Sequence, residues 1–342
     1  MTRVVAALFR RVVALPGRGA APERVLLSVL AAACAIAGAA SAETYPAKPV
    51  RILVPFAAGG PADVVARLIG HRLSTTLGQT FVIENRAGAG GTIAARAAAE
   101  AEADGYTLLL ANTSTLVIGP AIYRQAGYDP AKSFAPVALL GTTSNVLVVH
   151  PGFAAKSVRE LIAFAKANPG KLNYSSPGIG TPPHLIGEMF RQKAGIDIVH
   201  VPYKGGGSSA QAVVAGDVQM AFENPALSLP LVRGGQLRAL AVTSDKRNAQ
   251  APDVPTMIES GIADFVSVSF TGLAAPAGTP AAVVAKLNKA VNEALKSPEL
   301  QSAFAKLAIE SRVGTPDAFA AFVAKEREKW GGVMKAAAVK AE

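Results

Sequence analysis

Residues 54–70, VPFAAGGPADVVARLIG, decide how the chain is read. The run PVRILVPF (49–56) leading into them is β-branched and unbroken, as a strand buried on both faces requires. It ends at Gly59-Gly60, where the backbone can approach a ligand closely. Pro61 then suits the first position of a helix, where a missing N–H costs nothing. Val64, Val65, Leu68, Ile69, Leu73 and Leu77 recur at helical spacing until Gly78 stops the pattern. Strand, glycine turn and helix start together aim backbone N–H groups at one spot, which suits an anion. Asp63 lies in the first helical turn, where a carboxylate accepts orphan N–H groups. The P-loop spacing G-x-x-x-x-G-K-[ST] is absent, and an acid at the helix mouth repels phosphate. Either the turn faces an anion other than a nucleotide, or it is a plain glycine turn with a capped helix.

The same alternation continues along the chain. TFVIENR is a second strand, GAGG (88–91) a turn into an alanine-rich helix, and GYTLLLAN (105–112) a third strand. After a proline-marked connection near 130–136, VALLGTTSNVLVVHP is extended. Ser157 and Glu160 form a capping box for a helix ended by Asn168-Pro169-Gly170. Further strands and helices alternate to about 244. A last extended run leads to helices at 280–296, 298–307 and 316–337. Alternating strand and helix predict parallel sheets with helices on both faces. Two α/β units of roughly 100–120 residues are expected, joined by a short hinge with crossings at 141–146 and 267–272. The C-terminal helices are expected to return to the first unit.

Composition supports an exported, folded protein. Of 342 residues, 50% are hydrophobic and 17% charged, which excludes disorder. Arg3, Arg10, Arg11, Arg18 and Arg24 precede the apolar run 25–40, and Ala40-Ser41-Ala42 makes a small-residue cleavage pattern. Residues 1–42 therefore read as a signal peptide. No other apolar run reaches about 18 residues, so a soluble mature chain is expected. Residues 43–342 keep 29 of the 34 basic and 23 of the 24 acidic residues, a net charge of +6. That surplus attracts small anions but forms no dense stripe for nucleic acid. The single cysteine, Cys34, lies in the leader; Ala31 stands where a lipid attachment box wants leucine, so no lipid anchor is expected. The mature chain has no thiol nucleophile, disulfide or cysteine metal site.

Further polar turns stand where strands end and helices begin. GAGGT (88–92) lacks the third glycine of a dinucleotide fingerprint. NTSTLVIGP (112–120) sets an amide and hydroxyls at the end of a strand, the edge at which open sheets bind ligands. In SSPGIGTPPHL (175–185), Thr181 can cap the helix that begins at Pro182. Pro182 and Pro183 leave His184 and Leu185 with the first free N–H groups, and the helix dipole disfavours a charged His184. In HVPYKGGGSSAQ (200–211), Tyr203 and Lys204 precede three glycines and a helix capped by Ser208 or Ser209; Lys204 is the best cation for an anionic ligand. Glu223 and Asn224 end another strand. Each of these also reads as an ordinary turn or cap. There is no G-x-S-x-G elbow and no H-E-x-x-H. The four histidines (71, 150, 184, 200) lack ligand spacing, so no catalytic or metal residues are assigned and no cofactor is expected. These are the parts of a binding protein.

Taken in order, YPAKPVRILVPFAAGGPADVVARLIGHRL, GQTFVIENRAGAGGTIAA, DGYTLLLAN, KANPGKLNYSSPGIGTPPHLIGEMF, IVHVPYKGGGSSAQAVVAGDVQMAFEN, GQLRALAVTS, DVPTMIESG and GLAAPAGTP closely resemble the Bug-type receptors, the periplasmic substrate-binding proteins of tripartite tricarboxylate transporters. The likeness spans about residues 45–337. It implies an α/β bilobal type II periplasmic-binding-protein fold, a Venus flytrap. Lobe 1 would comprise 43–143 plus 268–342, and lobe 2 144–267. It implies a monomeric, periplasmic, non-enzymatic receptor that takes a small organic acid to membrane transporter subunits. A sensor signalling to a membrane partner, or an exported α/β hydrolase, is the alternative. The resemblance assigns ligand contacts to Phe56, Ala57, Ala58, Gly59, Gly60, Ala62 and Asp63, in part through water. Ser114, Thr115, Ser176, Gly178, Gly180, Thr181, His184, Tyr203, Lys204, Gly205 and Asn224 complete that set. Position 62 often carries Ser or Thr in this family; Ala62 removes one hydroxyl.

Overall fold

The opening stretch folds as strand β1 (Val50–Val54), a turn, and helix α1 (Pro61–Leu77). Val50, Ile52, Leu53 and Val54 are buried, and the exposed Arg51 donates to Thr107 Oγ1 at 3.0 Å. Gly78 closes α1 in the left-handed conformation (φ 73°), which glycine adopts without strain. The computed structural model describes residues 45–123 and 125–337. The leader 1–42, with its cleavage pattern and Cys34, lies outside the described residues. Among the described residues, every strand and helix belongs to the unit Lys48–Glu342.

After α1 come β2 (Phe81–Asn85), α2 (Thr92–Ala99), β3 (Thr107–Asn112), a wide π-type coil at Ser114–Ile118 and the short α3 (Gly119–Ile122). Then come β4 (Phe134–Ser144), β5 (Val146–Val149), α4 (Val158–Ala167), β6 (Leu172–Ser176), α5 (Pro182–Ala194), β7 (Ile198–Pro202), α6 (Gly206–Ala215), β8 (Met220–Glu223), α7 (Pro225–Arg233) and β9 (Arg238–Val242). The chain ends with β10 (Val268–Pro276), α8 (Ala281–Leu295), α9 (Pro298–Lys306), β11 (Glu310–Ser311) and α10 (Pro316–Ala336).

Among the described residues these strands form two sheets, ordered β11-β4-β10-β3-β1-β2 and β7-β6-β8-β5-β9. β1 lies parallel to β2 and β3, and β6 parallel to β7 and β8. The expectation of parallel sheets holds for these strands and is corrected for the others: β10 runs antiparallel to β3 and β4, and β5 antiparallel to β8 and β9. The reason is the crossing. β4 ends in the first sheet at Ser144, and β5 begins in the second at Val146, so β5 enters its sheet against the direction of its neighbours. A strand buried on both faces has the same hydropathy in either direction, so its pattern cannot announce this.

Asn145 and the return segment at Ser267 are tied together where the chain crosses. Asn145 N–H donates to Thr243 Oγ1 (2.8 Å), and Thr243 N–H to the Asn145 carbonyl (2.9 Å). The Thr243 hydroxyl donates to the Ser267 carbonyl (2.6 Å), and Ser267 N–H to the Thr243 carbonyl (2.7 Å). Asn145 Nδ2 adds a bond to the Phe222 carbonyl (3.2 Å). All are buried, so these bonds replace water that the crossing strands exclude. The C-terminal helices return to the first sheet, where α8 packs on β4 and α1. α10 packs on β4 and also reaches α5 beside the second sheet, with Gln192 Nε2 donating to the Val333 carbonyl at 3.3 Å. Trp330, fully buried on α10, donates its Nε1–H to Glu326 Oε2 (2.9 Å).

Candidate ligand-binding site

The C-terminal ends of β1, β2 and β3 in one sheet, and of β6, β7 and β8 in the other, carry the polar turns. The first is built on Asp63. Although its residue is buried, its Oδ2 accepts Arg67 Nε–H (2.9 Å) and Gly59 N–H (3.0 Å), and the guanidinium beside it is the main reason its carboxyl is held down to about 2. Asp63 thus stays ionised and pins the glycine turn through Oδ2, while Oδ1 is buried with no hydrogen-bond partner among the described residues. Asn85 Nδ2 donates to the Phe56 carbonyl (3.0 Å), fixing the other side of the same turn. Phe56, Ala57, Ala58 and Gly59 are exposed and Gly60 and Ala62 half-buried, and none offers a polar side chain. The loop can hold an anion only through its backbone.

Around it the first sheet's turns close tightly. A β-carbon at Gly91 would lie 2.8 Å from Pro55 Cβ and 3.0 Å from Thr115 Cγ2, so only glycine brings these loops together. Thr115 is fully buried; its hydroxyl accepts Asn112 N–H (2.9 Å), and Asn112 Oδ1 accepts Thr115 N–H (2.9 Å). It shapes the turn from inside. Ser114, half-buried, is left as a hydroxyl with no protein partner among the described residues.

In the second sheet, Ser176 is a buried node. Its Oγ accepts Gly178 N–H (3.1 Å), donates to the Gly178 carbonyl (3.0 Å) and lies 2.6 Å from His200 Nε2. The His184 ring stacks on His200 (4.0 Å between centroids), which in turn lies 4.9 Å from Tyr174. His184 Nδ1 accepts Gly180 N–H (3.1 Å), so this nitrogen is unprotonated. Burial lowers the proton affinity of both rings, and the His184 imidazole helps bring His200 down to about 3. His184 therefore acts as a neutral brace beneath the 178–180 turn. Tyr203 N–H donates to the Ser176 carbonyl (2.9 Å), which brings the β6 and β7 turns side by side. Lys204 is exposed, with no ion-pair partner among the described residues.

Three capping expectations are corrected. Thr181 stands at the N-cap of α5, but its hydroxyl donates to the Gly178 carbonyl (2.7 Å), and the Leu185 N–H is taken by the Thr181 carbonyl (3.1 Å). Ser208 donates to the Gly205 carbonyl (3.0 Å) and Ser209 to Glu223 Oε1 (2.6 Å), so neither caps α6, whose N-cap is Gly205. Gly60, Gly91, Thr181 and Gly205 thus begin α1, α2, α5 and α6 with no side chain accepting their first N–H groups. Elsewhere Ser157, Ser297 and Thr315 cap α4, α9 and α10 in the ordinary way, and Pro280 leaves α8 uncapped. Asn224, although at the site's edge, spends Oδ1 on Ala226 N–H (2.8 Å). The two sets of turns meet at Gly180 (φ 75°), where a β-carbon would collide with Ile122 Cδ1 of the first sheet's α3. A separate 440 Å³ crevice beside the crossing strands is lined by Arg247, which Glu259 already neutralises.

The family model described as "Tripartite tricarboxylate transporter family receptor" matches residues 65–339. The chain belongs to this receptor family. BugT of Bordetella pertussis is 38% identical over 311 residues, covering 91% of this chain and 95% of BugT. Among solved structures, Rpa4515 of R. palustris with adipate is 35% identical with a TM-score of 0.75, covering 86% of this chain and 99% of that one. MatC from Rhodopseudomonas palustris with bound malate is 34% identical with a TM-score of 0.72, covering 84% and 99%. The fold is that of the family's periplasmic binding proteins, α/β with two sheets, and among the described residues no helix is long and apolar enough to cross a membrane.

In this tripartite tricarboxylate transporter receptor, several residues that shape the turns carried no signal of their own. Arg67 stands four residues after Asp63, a spacing that pairs charges on a helix. Asn85 ends β2 and His200 stands in the middle of β7, and neither has a local pattern that marks it. Glu223 was legible only as a polar strand end; the structure buries it and raises its carboxyl to about 7 through that burial.

Proposed function

We propose that this receptor captures a small organic carboxylate between the turns of its two sheets and delivers it, outside the inner membrane, to a membrane transporter. The observation that carries this reading is the set of uncapped helix starts at Gly60, Gly91, Thr181 and Gly205, gathered at the strand ends of both sheets. Free N–H groups with helix dipoles behind them favour an anion. The ligand's carboxylate would sit over the Phe56–Ala62 loop on backbone donors, with Asp63 and Arg67 holding the loop rather than touching the anion. Ser114 would add a hydroxyl from the same side, and Tyr203, Lys204 and the 178–180 turn would close from the other. Residues 43–143 with 268–342 would move as one lobe and 144–267 as the other, bending at Asn145 and Ser267. Adipate and malate, held by two structural relatives, are of the ligand class envisaged.

Hydrolysis is disfavoured by the one close Ser–His contact among the described residues. Ser176 is wholly buried, and its hydroxyl already bonds Gly178 twice. The measurement that tests the proposal is calorimetry on protein unfolded and refolded free of carried ligand, titrated with mono-, di- and tricarboxylates. A dissociation constant in the micromolar range or tighter for at least one acid is expected; no binding by any of them defeats the reading.

A further inference from the structure

Glu223 is out of place in a receptor for acids. It ends β8 in register with Val146, the first residue after the crossing, and is 1% exposed. No cation pairs with it among the described residues. Oε1 takes the Ser209 hydroxyl (2.6 Å), and the nearby Asn224 N–H gives some further relief. A buried acid left without a cation is costly, and such a group is retained where something else completes it. Oε2 faces Gly206, the first residue of α6. A β-carbon built at Gly206 would lie 3.9 Å from Oε2, 3.6 Å from Leu227 Cδ2 and 4.0 Å from Pro177 Cγ. The missing side chain therefore leaves an approach to the carboxyl, walled by Pro177 and Leu227, at the point where the β6, β7 and β8 turns converge.

We propose that Glu223 is the specificity residue of the second sheet: it receives a hydrogen-bond donor, hydroxyl or ammonium, carried at the end of the ligand opposite the captured carboxylate. This rests on the carboxylate-receptor reading above and narrows its ligand class to ω-hydroxy and ω-amino acids. Once Glu223 is ionised, above about pH 7, a second carboxylate at that end would face its charge in a desolvated corner, where like charges repel most strongly. An alkyl end would offer Oε2 no donor. A donor completes the carboxyl, and an ionised acceptor makes the stronger class of bond.

Matched ligands of equal chain length test this: succinate, butyrate, 4-hydroxybutyrate and 4-aminobutyrate, then adipate, hexanoate, 6-hydroxyhexanoate and 6-aminohexanoate. They are titrated into the refolded wild type, Glu223→Gln and Gly206→Ala. The alanine at 206 meets only ordinary van der Waals distances in an unstrained helical position, so this variant folds at least as well as the wild type while filling the approach to Oε2. In one length series the hydroxy or amino acid binds the wild type at least tenfold tighter than the diacid. Gly206→Ala removes that preference, Glu223→Gln reduces it most for the amino acid, and thermal midpoints confirm folded protein. The hydroxy and amino arms tell which donor is used. Diacids binding tightest, with both substitutions affecting every ligand alike, overturns the inference while leaving carboxylate capture standing; no binding by any acid overturns both.

Discussion

His200 shows how one side chain ties stability to pH. Its ring lies between Tyr174 and His184 and meets Ser176 Oγ. Burial first, and the neighbouring imidazole second, bring its affinity for a proton from 6.5 to about 3. A depressed histidine means that the unfolded chain binds the proton more readily than the folded one. Folded stability therefore rises with pH across this interval, and it is lost as pH falls from about 6.5 towards 3. Asp63, held at about 2, acts in the same direction but only below 3.8. Glu223 acts oppositely: its burial penalty grows as pH rises from 4.5 through about 7. In His200→Gln the amide still reaches Ser176 but does not titrate. Urea denaturation at pH 7 and pH 4 is expected to give a wild type that loses on the order of 1–2 kcal/mol more than the variant, after allowance for the ring's partial exposure. Equal losses would mean that the ring titrates as it does in water.

Among the elements, the crossing strands depend on Thr243 more than on any residue of the site. Its hydroxyl both accepts the Asn145 N–H and donates to the Ser267 carbonyl. Thr243→Val keeps the shape and strands two buried backbone groups, a loss of about 2–4 kcal/mol. Thr243→Ser keeps both bonds and is expected to lose under about 1.5 kcal/mol, by removing one methyl group. The urea midpoints of the two variants check this; similar midpoints would assign the cost to packing instead. Nothing in the local sequence marked Thr243, because its partners lie 98 and 24 residues away. The opening strand, turn and helix were legible because local period, proline and glycine all agree there. The π-type coil and α3 at 114–122 were not, since Gly119-Pro120 reads as a break. α7 escaped notice with prolines at 225 and 230. The caps assigned to Thr181 and Ser208 failed for one physical reason, while Ser209 spends its hydroxyl on the Glu223 carboxylate. A hydroxyl that can donate to a nearby turn carbonyl is not obliged to accept from the helix. Those failures fall at the turns of the candidate site, and they leave the starts of α5 and α6 open.

For the whole molecule, the position that matters most is Gly180, where the turns of the two sheets touch. Its positive φ strains any β-carbon, and one built there collides with Ile122 Cδ1, so the isoleucine or the turn must shift. Gly180→Ala has two separable effects. The first is backbone strain, about 1–2 kcal/mol for an L-residue in the left-handed region, which lowers stability whatever the partner does. The second is steric: the new methyl holds the two sets of turns apart, so a ligand that needs both loses affinity, at least about tenfold, for one lost set of contacts. Ile122→Ala removes the opposing side chain. In the double variant the strain persists while the obstruction is gone. Calorimetry with the tightest carboxylate of the panel is therefore expected to show weak binding for Gly180→Ala and recovery to within about threefold of Ile122→Ala for the pair. The thermal midpoint stays low in both proteins that carry Gly180→Ala. Affinity that follows the midpoint and not the steric fit would mean that the contact only stabilises the fold. Recovery without restored stability would mark this contact as the one that must form when the turns close on a ligand.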